Sequence, residues 1–544
     1  MAPMAFDRSA DYLVVGAGSA GCVLANRLSA DNRLSVLLLE AGGADRNPMI
    51  RVPMGIRWVV GNPETDWCYR TQPERELNGR SLVFPRGKTL GGTSAINGLV
   101  YIRGFPADYD GWAAAGCSGW SWLEVLPYFK KSEGSVRAPD SLHNDRGPLA
   151  VMRPTTKNPL CAAFLAAGRE IGVRTSDDFN GPGPSGLGYF DSNRRGGRRQ
   201  STADAFLRPA IGRANLQVAT HAVATRVLFE GRRAIGVEYL QHGRTVRARA
   251  EREVVLSAGV INSPQLLMLS GIGCEAELRA LGIDVVHDAP EVGRNLQDHL
   301  DVTMQFECLQ AVTAYRWMRW HWMTLAALRW GLFKSGFASE LLLPVGGFLQ
   351  SRPDLEAPDI QLHLILALPG RQGRRKPDQE GFGVHVCNLQ PLSTGRVRLM
   401  SADPQVHAAI EPNFLTHLED IVPIRAGMRI VRDLLGAPAM RPFCGTELEP
   451  GLHAVDDNAL DDFVRRTALT VFHPTSTCRM GADARSVVDP TLKVRGVEAL
   501  RVADASIMPR VPRGNTNAPT IMIAEKASDM ILQKPSGHTQ LREN

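Results

Sequence analysis

Long apolar runs are absent from this chain. None of its 544 residues sit in a stretch approaching the ~18 apolar residues that a spanning helix needs, which excludes an integral helical membrane protein. The N-terminus, MAPMAFDRSADYLVVGAG, has no basic segment leading into an apolar run and a small-residue cleavage site, so no secretory signal is read. The expected compartment is the cytoplasm, with peripheral attachment to the inner membrane face as a variation. Cysteine is sparse: nine are scattered from Cys22 to Cys478 with no CxxC, which fits neither a disulfide framework nor a zinc site, and no metal is expected. Charge of one sign is also lacking, since 62 Lys and Arg face 56 Asp and Glu, a net of +6. The two arginine clusters, NRRGGRRQ (193–200) and RQGRRKP (371–377), are Gly-rich and carry no interleaved aromatics, so they read as solvated loops, and no nucleic-acid partner is expected. No internal repeat is evident. At about 150 residues per domain, the length suits three to four domain-sized units or two large interwoven ones.

Glycine, by contrast, is well placed. Asp11 to Val15 (DYLVV) reads as a short buried strand, and GAGSAG follows it, with Gly16, Gly18 and Gly21 in GxGxxG spacing. CVLANRLSA then has helical apolar spacing, and LSVLLLEAGG reads as a second strand ending in Glu40. This is a β-α-β unit that binds a dinucleotide. The first glycine allows the tight turn, the second lets backbone approach a pyrophosphate, and the third lets helix pack on strand. Glu40 is placed to accept hydrogen bonds from the adenosine ribose, and its charge argues against a 2′-phosphate.

Two later stretches carry further signals. GKTLGGTSAINGLVYIRG (87–104) has a second glycine pair, Gly91 and Gly92, whose backbone can lie flat against a planar ligand. VVLSAGVINSPQLLMLSGIG (254–273) reads as strand, turn and helix, with Ser263-Pro264 opening the helix and Gly271 closing it. TVFHPTSTCRMG (470–481) sets His473 five residues before Cys478 in a segment too rich in Pro, Thr and Ser for a helix interior. Taken alone, His473 is open to four readings: metal ligand, partner of a Cys478 nucleophile, buried structural histidine, or base beside a cofactor.

With these motifs, VGRNLQDH (292–299) and LRVADASIMPRVPRGNTNAPTIMIAEKASDMI (500–531), the sequence resembles the glucose-methanol-choline (GMC) family of flavoprotein oxidoreductases, and within it the bacterial FAD-dependent alcohol dehydrogenases. The resemblance implies FAD. It assigns the ADP part to Gly16, Gly18, Ser19, Ala20, Gly21, Glu40 and Ala41, and the flavin-side segment to Gly91, Gly92, Thr93, Asn97, Gly98 and Val100. It gives Val223 and Ala258 to the adenine side, and Asp504, Ala505, Asn515, Thr516 and Pro519 to the returning segment. Some relatives attach flavin through a histidine just before the residue matching Asn97; here it is Ile96, so the cofactor is expected to be non-covalent.

The resemblance also makes His473 the base over the flavin and Asn515 its partner, with Asn517 as the fallback. An alcohol near pKa 15.7 would lose its proton to a free imidazole uphill by roughly 9 units, about 12 kcal/mol. Proton loss must therefore accompany hydride departure, with Asn515 steadying the developing oxyanion. The implied fold is α/β: a Rossmann-like FAD-binding domain assembled from 1–160, 200–305 and 465–535, and an α+β substrate domain with an antiparallel sheet from 161–199 and 306–464, leaving 536–544 as a frayed tail. QLHLILAL (361–368), GFGVHVCNLQ (381–390) and GRVRLMS (395–401) are its expected strands.

In SELLLPVGGF (339–348), where choline-oxidising relatives carry a glutamate, Leu341 to Leu343 and Pro344 are apolar, so an uncharged primary alcohol, aliphatic or benzylic, is favoured over choline. The electron acceptor, whether oxygen, quinone or another, is open. Three rival functions stand beside this reading: a non-redox lyase on the flavin scaffold, a light-driven fatty-acid decarboxylase, and an NAD-binding protein without flavin. YRWMRWHWMTLAALRWGLFK (315–334) is Trp-rich and basic; it reads as a helix packed at the substrate entrance or a subunit contact, with contact to a membrane interface as the alternative.

Overall fold

The computed structural model describes residues 5–154, 156–368 and 379–533; the second arginine cluster and the tail at 536–544 lie outside the described residues. Two sheets organise the molecule. The first runs Leu216–Ala219, Val36–Leu39, Arg8–Val15, Arg244–Leu256, Arg233–Gln241 and Ala222–Glu230, with Leu500–Val502 also paired to Arg244–Leu256. The first four strands and Leu500–Val502 are parallel, and the last three of the row form an antiparallel meander. Val36–Leu39 is buried throughout, as a parallel strand covered on both faces must be. The parallel strands end in Val15, Leu39, Leu256 and Val502, and Gly16, Glu40, Ser257 and Asp504 follow at one edge, the carboxyl end where α/β sheets bind ligands.

The second sheet is antiparallel: Cys444–Glu449, Leu300–Cys308, Gly381–Asn388, Ile360–Ile365, Val345–Leu349 and Gly186–Tyr189. Helix Ile421–Gly436 packs on it so closely that a Cβ at Gly427 would sit 2.4 Å from Val386 Cγ1. Strand Leu300–Cys308 straddles the 305/306 position, and Leu469–Thr470 pairs with it although it belongs to the C-terminal segment.

Three local expectations are corrected. Gly395–Arg398 does not join the large antiparallel sheet but pairs with Arg294–Leu296 and Ala409–Glu411 in a small one. Helix Gly259–Leu269 starts earlier than Ser263-Pro264, leaving Pro264 inside it. The missing Pro264 N–H frees the Val260 carbonyl, which instead accepts the Thr477 hydroxyl at 2.7 Å. The first arginine cluster is not a solvated loop: Arg194–Arg195 and Arg198–Arg199 form a hairpin that alternates its side chains, so Arg194 and Arg199 are buried while Arg195 and Arg198 are exposed. Among the described residues no helix is long and apolar enough to cross a membrane.

Candidate active site

One cavity of about 670 Å³ runs from the carboxyl edge of the parallel sheet to the face of the antiparallel sheet. Helices Ser19–Leu28, Gly259–Leu269 and Asn517–Ile531 all begin on its wall, and none has a side-chain cap at its N-terminus. Asp504 takes Gly259 N–H at the second of these, so the free N–H groups and positive dipole ends of Ser19–Leu28 and Asn517–Ile531 are what meet this space, an arrangement that suits a pyrophosphate. Gly18 Cα would lie 2.6 Å from a Cβ added at Gly92, so the two glycine-rich loops touch through backbone alone.

Glu40 borders the cavity with one oxygen accepting Ala17 N–H and the other Gly42 N–H, each at 2.8 Å. Burial lifts its carboxyl to about 7 against these two bonds, and its remaining lone pairs suit ribose hydroxyls. Beside it Val223, Leu266 and Leu269 give an apolar slot for a base. The residues present therefore fit a flavin adenine dinucleotide.

Of the residues expected to hold it, Gly16, Gly18, Ser19, Ala20, Glu40, Ala41, Gly92, Thr93, Asn97, Gly98, Val100, Val223, Ala258, Asp504, Ala505, Asn515 and Thr516 line the cavity. Gly21, Gly91 and Pro519 do not. A Cβ at Gly21 would fall 1.8 Å from Gly16 O, so this glycine serves helix packing, while Gly91 holds the turn at φ +89°. Asp504 binds the start of helix Gly259–Leu269 through Gly259 N–H (2.8 Å) and the Ser263 hydroxyl (2.6 Å). Asn517 is not the histidine's partner, because its Oδ1 accepts the Ser19 hydroxyl.

His473 lies on the cavity wall with Nε2 3.0 Å from Asn515 Nδ2 and Nδ1 3.1 Å from His299 Nδ1. Asp298 Oδ1 accepts its backbone N–H at 2.8 Å, while Oδ2 accepts the Thr470 hydroxyl. Phe472 before it has φ +68° and Ser476 after it +78°, strained values for non-glycine residues. Arg86 Nη2, donating to Phe472 O at 2.7 Å, helps hold that strain. Burial first, then His299, His363 and Arg86, push the His473 pKa well below the ordinary 6.5, so the ring is neutral. The structural-histidine reading is weakened by the ring's place on the cavity wall, and the Cys478 reading by burial, which drives that thiol far above its usual range.

Three residues escaped the sequence reading. His299 closes NLQDH and is fully buried, with burial lowering its pKa to about 3. Its signal is the NLQDH motif, which the family resemblance spans without giving this histidine a role. Arg199 is 3% exposed and has no carboxylate partner among the described residues; its Nη1 donates to Asn97 Oδ1 at 2.8 Å and its Nε to Ile50 O at 2.9 Å. With Oδ1 also taken by Leu99 N–H, the Asn97 amide hydrogens are the part left for the cavity. Asp301, two residues past His299, lines the cavity with one carboxylate oxygen bonded to His385 Nδ1. Only the arrival of two sheet strands in one place, Leu300–Cys308 and Gly381–Asn388, makes that pair visible.

Residues 10–301 and 391–524 each match the GMC oxidoreductase family. The chain is similar to an alcohol dehydrogenase (acceptor) of Pseudomonas putida, 45% identical and covering 96% of both chains. It is 43% identical to an oxygen-dependent choline dehydrogenase of Brucella ovis, covering 96% of this chain and 95% of that one. Among solved structures it resembles pyridoxine 4-oxidase from Mesorbium loti, with a TM-score of 0.88, 30% identity, and coverage of 96% of this chain and 99% of the other. The glycine-rich cavity, the His473–Asn515 pair and these matches agree, and the chain belongs to the GMC oxidoreductase family.

Proposed function

We propose that this protein oxidises an uncharged primary alcohol, aliphatic or benzylic, to the aldehyde, using non-covalently bound FAD. The observation that carries this reading is the His473–Asn515 pair, an acceptor and a donor 3.0 Å apart on the wall of the cavity where the helix N-termini converge. Bound FAD supplies the hydride acceptor. Ile96, apolar and cavity-lining, offers no nucleophile for a covalent link.

With Asn515 Nδ2 donating toward Nε2, His473 carries its own hydrogen on Nδ1 and donates it in a hydrogen bond to His299 Nδ1. That leaves the Nε2 lone pair as the base. A substrate hydroxyl entering between the two side chains gives its proton to Nε2 while Asn515 Nδ2–H donates to the oxygen as charge develops there. Because the His473 pKa is depressed, the uphill gap to an alcohol exceeds that for free imidazole, so proton and hydride must leave together. Leu343, Ile365, Val471 and Phe472 form an apolar wall suited to the alcohol's tail.

Asp301 favours one second reading, a cationic alcohol such as choline, if the substrate displaces His385 from its carboxylate. The lyase and decarboxylase readings gain no support from the alcohol and choline dehydrogenase relatives. The division into two domains follows the same reading, with the Rossmann-like part holding cofactor and the antiparallel sheet facing substrate. Contact with a membrane through 315–334 would bring a quinone acceptor within reach.

Anaerobic addition of hexanol, benzyl alcohol or choline to the purified protein tests the proposal. Bleaching of the oxidised-flavin absorbance by the first two and not by choline is expected. Bleaching by choline alone replaces the substrate class, and no bleaching by any of the three removes alcohol oxidation. The speed of recovery in air then separates oxygen from another acceptor.

A further inference from the structure

Helix Trp320–Phe333 turns an apolar side away from the protein. Ala326 is its one buried residue, and with Trp317, Trp330 and Phe337 it packs against Val52 and Ala338. At about 100° per residue, Trp320, Leu325, Leu328 and Leu332 fall in an arc of about 140° centred opposite Ala326. Their exposure is 77%, 50%, 59% and 74%, and Phe333 at the helix end is 73% exposed. Apolar side chains this large, contiguous and open to solvent mark an interaction surface.

Its charge identifies the occupant. Between Glu307 and Glu340 there is no acidic residue, whereas Arg316, Arg319, Arg329 and Lys334 are all basic. Arg316 lies 4.9 Å from the ring centroids of both Trp317 and Trp322, and Lys334 Nζ lies 4.5 Å from that of Trp330, so these cations rest on tryptophan faces. A second copy docking on this side would set the same cations against each other with no acid from the segment to meet them. A helix of about 21 Å is also shorter than a hydrocarbon core of about 30 Å, so it can lie in an interface but not span it.

The geometry points to a peripheral docking surface: residues 315–334 seat this protein on an anionic phospholipid bilayer, the apolar arc entering the interface and the four cations meeting the headgroups. Val52 packs against the helix, and Ile56 and Val60 just beyond it line the cavity. An apolar alcohol or acceptor dissolved in the bilayer therefore lies close to the cavity wall. That last consequence rests on the alcohol-oxidation reading; the docking does not.

Co-sedimentation of the FAD-loaded full chain with phosphatidylcholine vesicles, with and without phosphatidylglycerol, tests it. The controls are a Trp320→Ser/Leu328→Ser/Leu332→Ser/Phe333→Ser variant and an Arg316→Glu/Arg319→Glu variant. Trp317, stacked on Phe337 at 4.9 Å, is left intact so that the packing survives. Wild type should pellet with the anionic vesicles, and each variant should bind about tenfold more weakly or less while keeping activity toward a soluble dye acceptor. Wild type remaining in the supernatant with both vesicles overturns the proposal, as does undiminished pelleting of both variants. A wild-type dimer in solution that the apolar variant abolishes, without vesicle binding, assigns the surface to a second copy instead.

Discussion

At the scale of single residues the chemistry rests on a histidine kept neutral. His473→Ala should keep its flavin yet reduce it about 10² to 10⁴ times more slowly in stopped flow, the usual loss for a general base. The pH dependence has a defined sign. A histidine whose folded pKa lies well below 6.5 stays unprotonated as pH falls through that value, so kcat/KM should be flat from about pH 8 to pH 6, with no limb near 6.5. A fall centred near 6.5 that persists in Asp298→Asn, which removes the buried carboxyl raised to about 7 beside His473, would show that the ring titrates like free imidazole. Arg199 makes a separate prediction. Arg199→Met removes the donor that fixes Asn97 Oδ1, and one charge-assisted hydrogen bond of about 1.4 kcal/mol corresponds to about tenfold weaker FAD binding. Fluorescence titration of the apoprotein with FAD reads that change, and unaltered affinity would make Arg199 a purely internal residue.

At the scale of elements, close approach decides which features the sequence could announce. Gly21→Ala places a Cβ 1.8 Å from Gly16 O and 2.8 Å from Ser257 Oγ, so the variant should lose FAD and several kcal/mol of stability by chemical denaturation. This β-α-β unit was legible because strand, glycine spacing, helix and acidic end are all local and mutually consistent. The start of helix Gly259–Leu269 was not. Pro264 is normally a helix opener, and what lets it sit inside is Thr477, far along the chain, whose hydroxyl satisfies the Val260 carbonyl. Gly395–Arg398 had the alternation of a strand, but alternation does not say which sheet receives it. The same limit hid Asp301: an acid inside a strand is ordinary until its neighbour strand brings His385 to it. His473 and Asn515 were legible only through resemblance, because 41 residues and a sheet strand separate two side chains that end 3.0 Å apart.

At the scale of the molecule, charge is buried well away from the cavity as well as in it. Arg103 and Glu133, both wholly buried, pair at 2.7 Å, and His143 joins them, 3.2 Å from Glu133 and 2.8 Å from Asp178. The cluster ties Arg103 and Asp178 to the 133–143 stretch between them, so its protonation state bears on the stability of the fold. Burial alone would lower the His143 pKa, but the carboxylates of Asp178 and Glu133 outweigh it and raise it to about 9. The unfolded value is near 6.5, so the folded protein holds the extra proton between these limits. The stabilisation is therefore complete below pH 6.5 and is lost as pH rises toward 9. Over the span from 6.5 to 8 the loss is about 2 kcal/mol, at 1.36 kcal/mol per unit. Lys526 acts in the opposite direction above that range, since burial lowers its pKa to about 8 and its unfolded form binds the proton more tightly. Measuring below pH 8 and subtracting a His143→Gln variant isolates the cluster. Urea melts of wild type should weaken by about 2 kcal/mol from pH 6.5 to 8 relative to that variant, whose amide can still hydrogen-bond but cannot titrate. Parallel pH curves for the two proteins would mean that His143 sits neutral between its carboxylates, and that Arg103 alone balances the buried charge of Glu133.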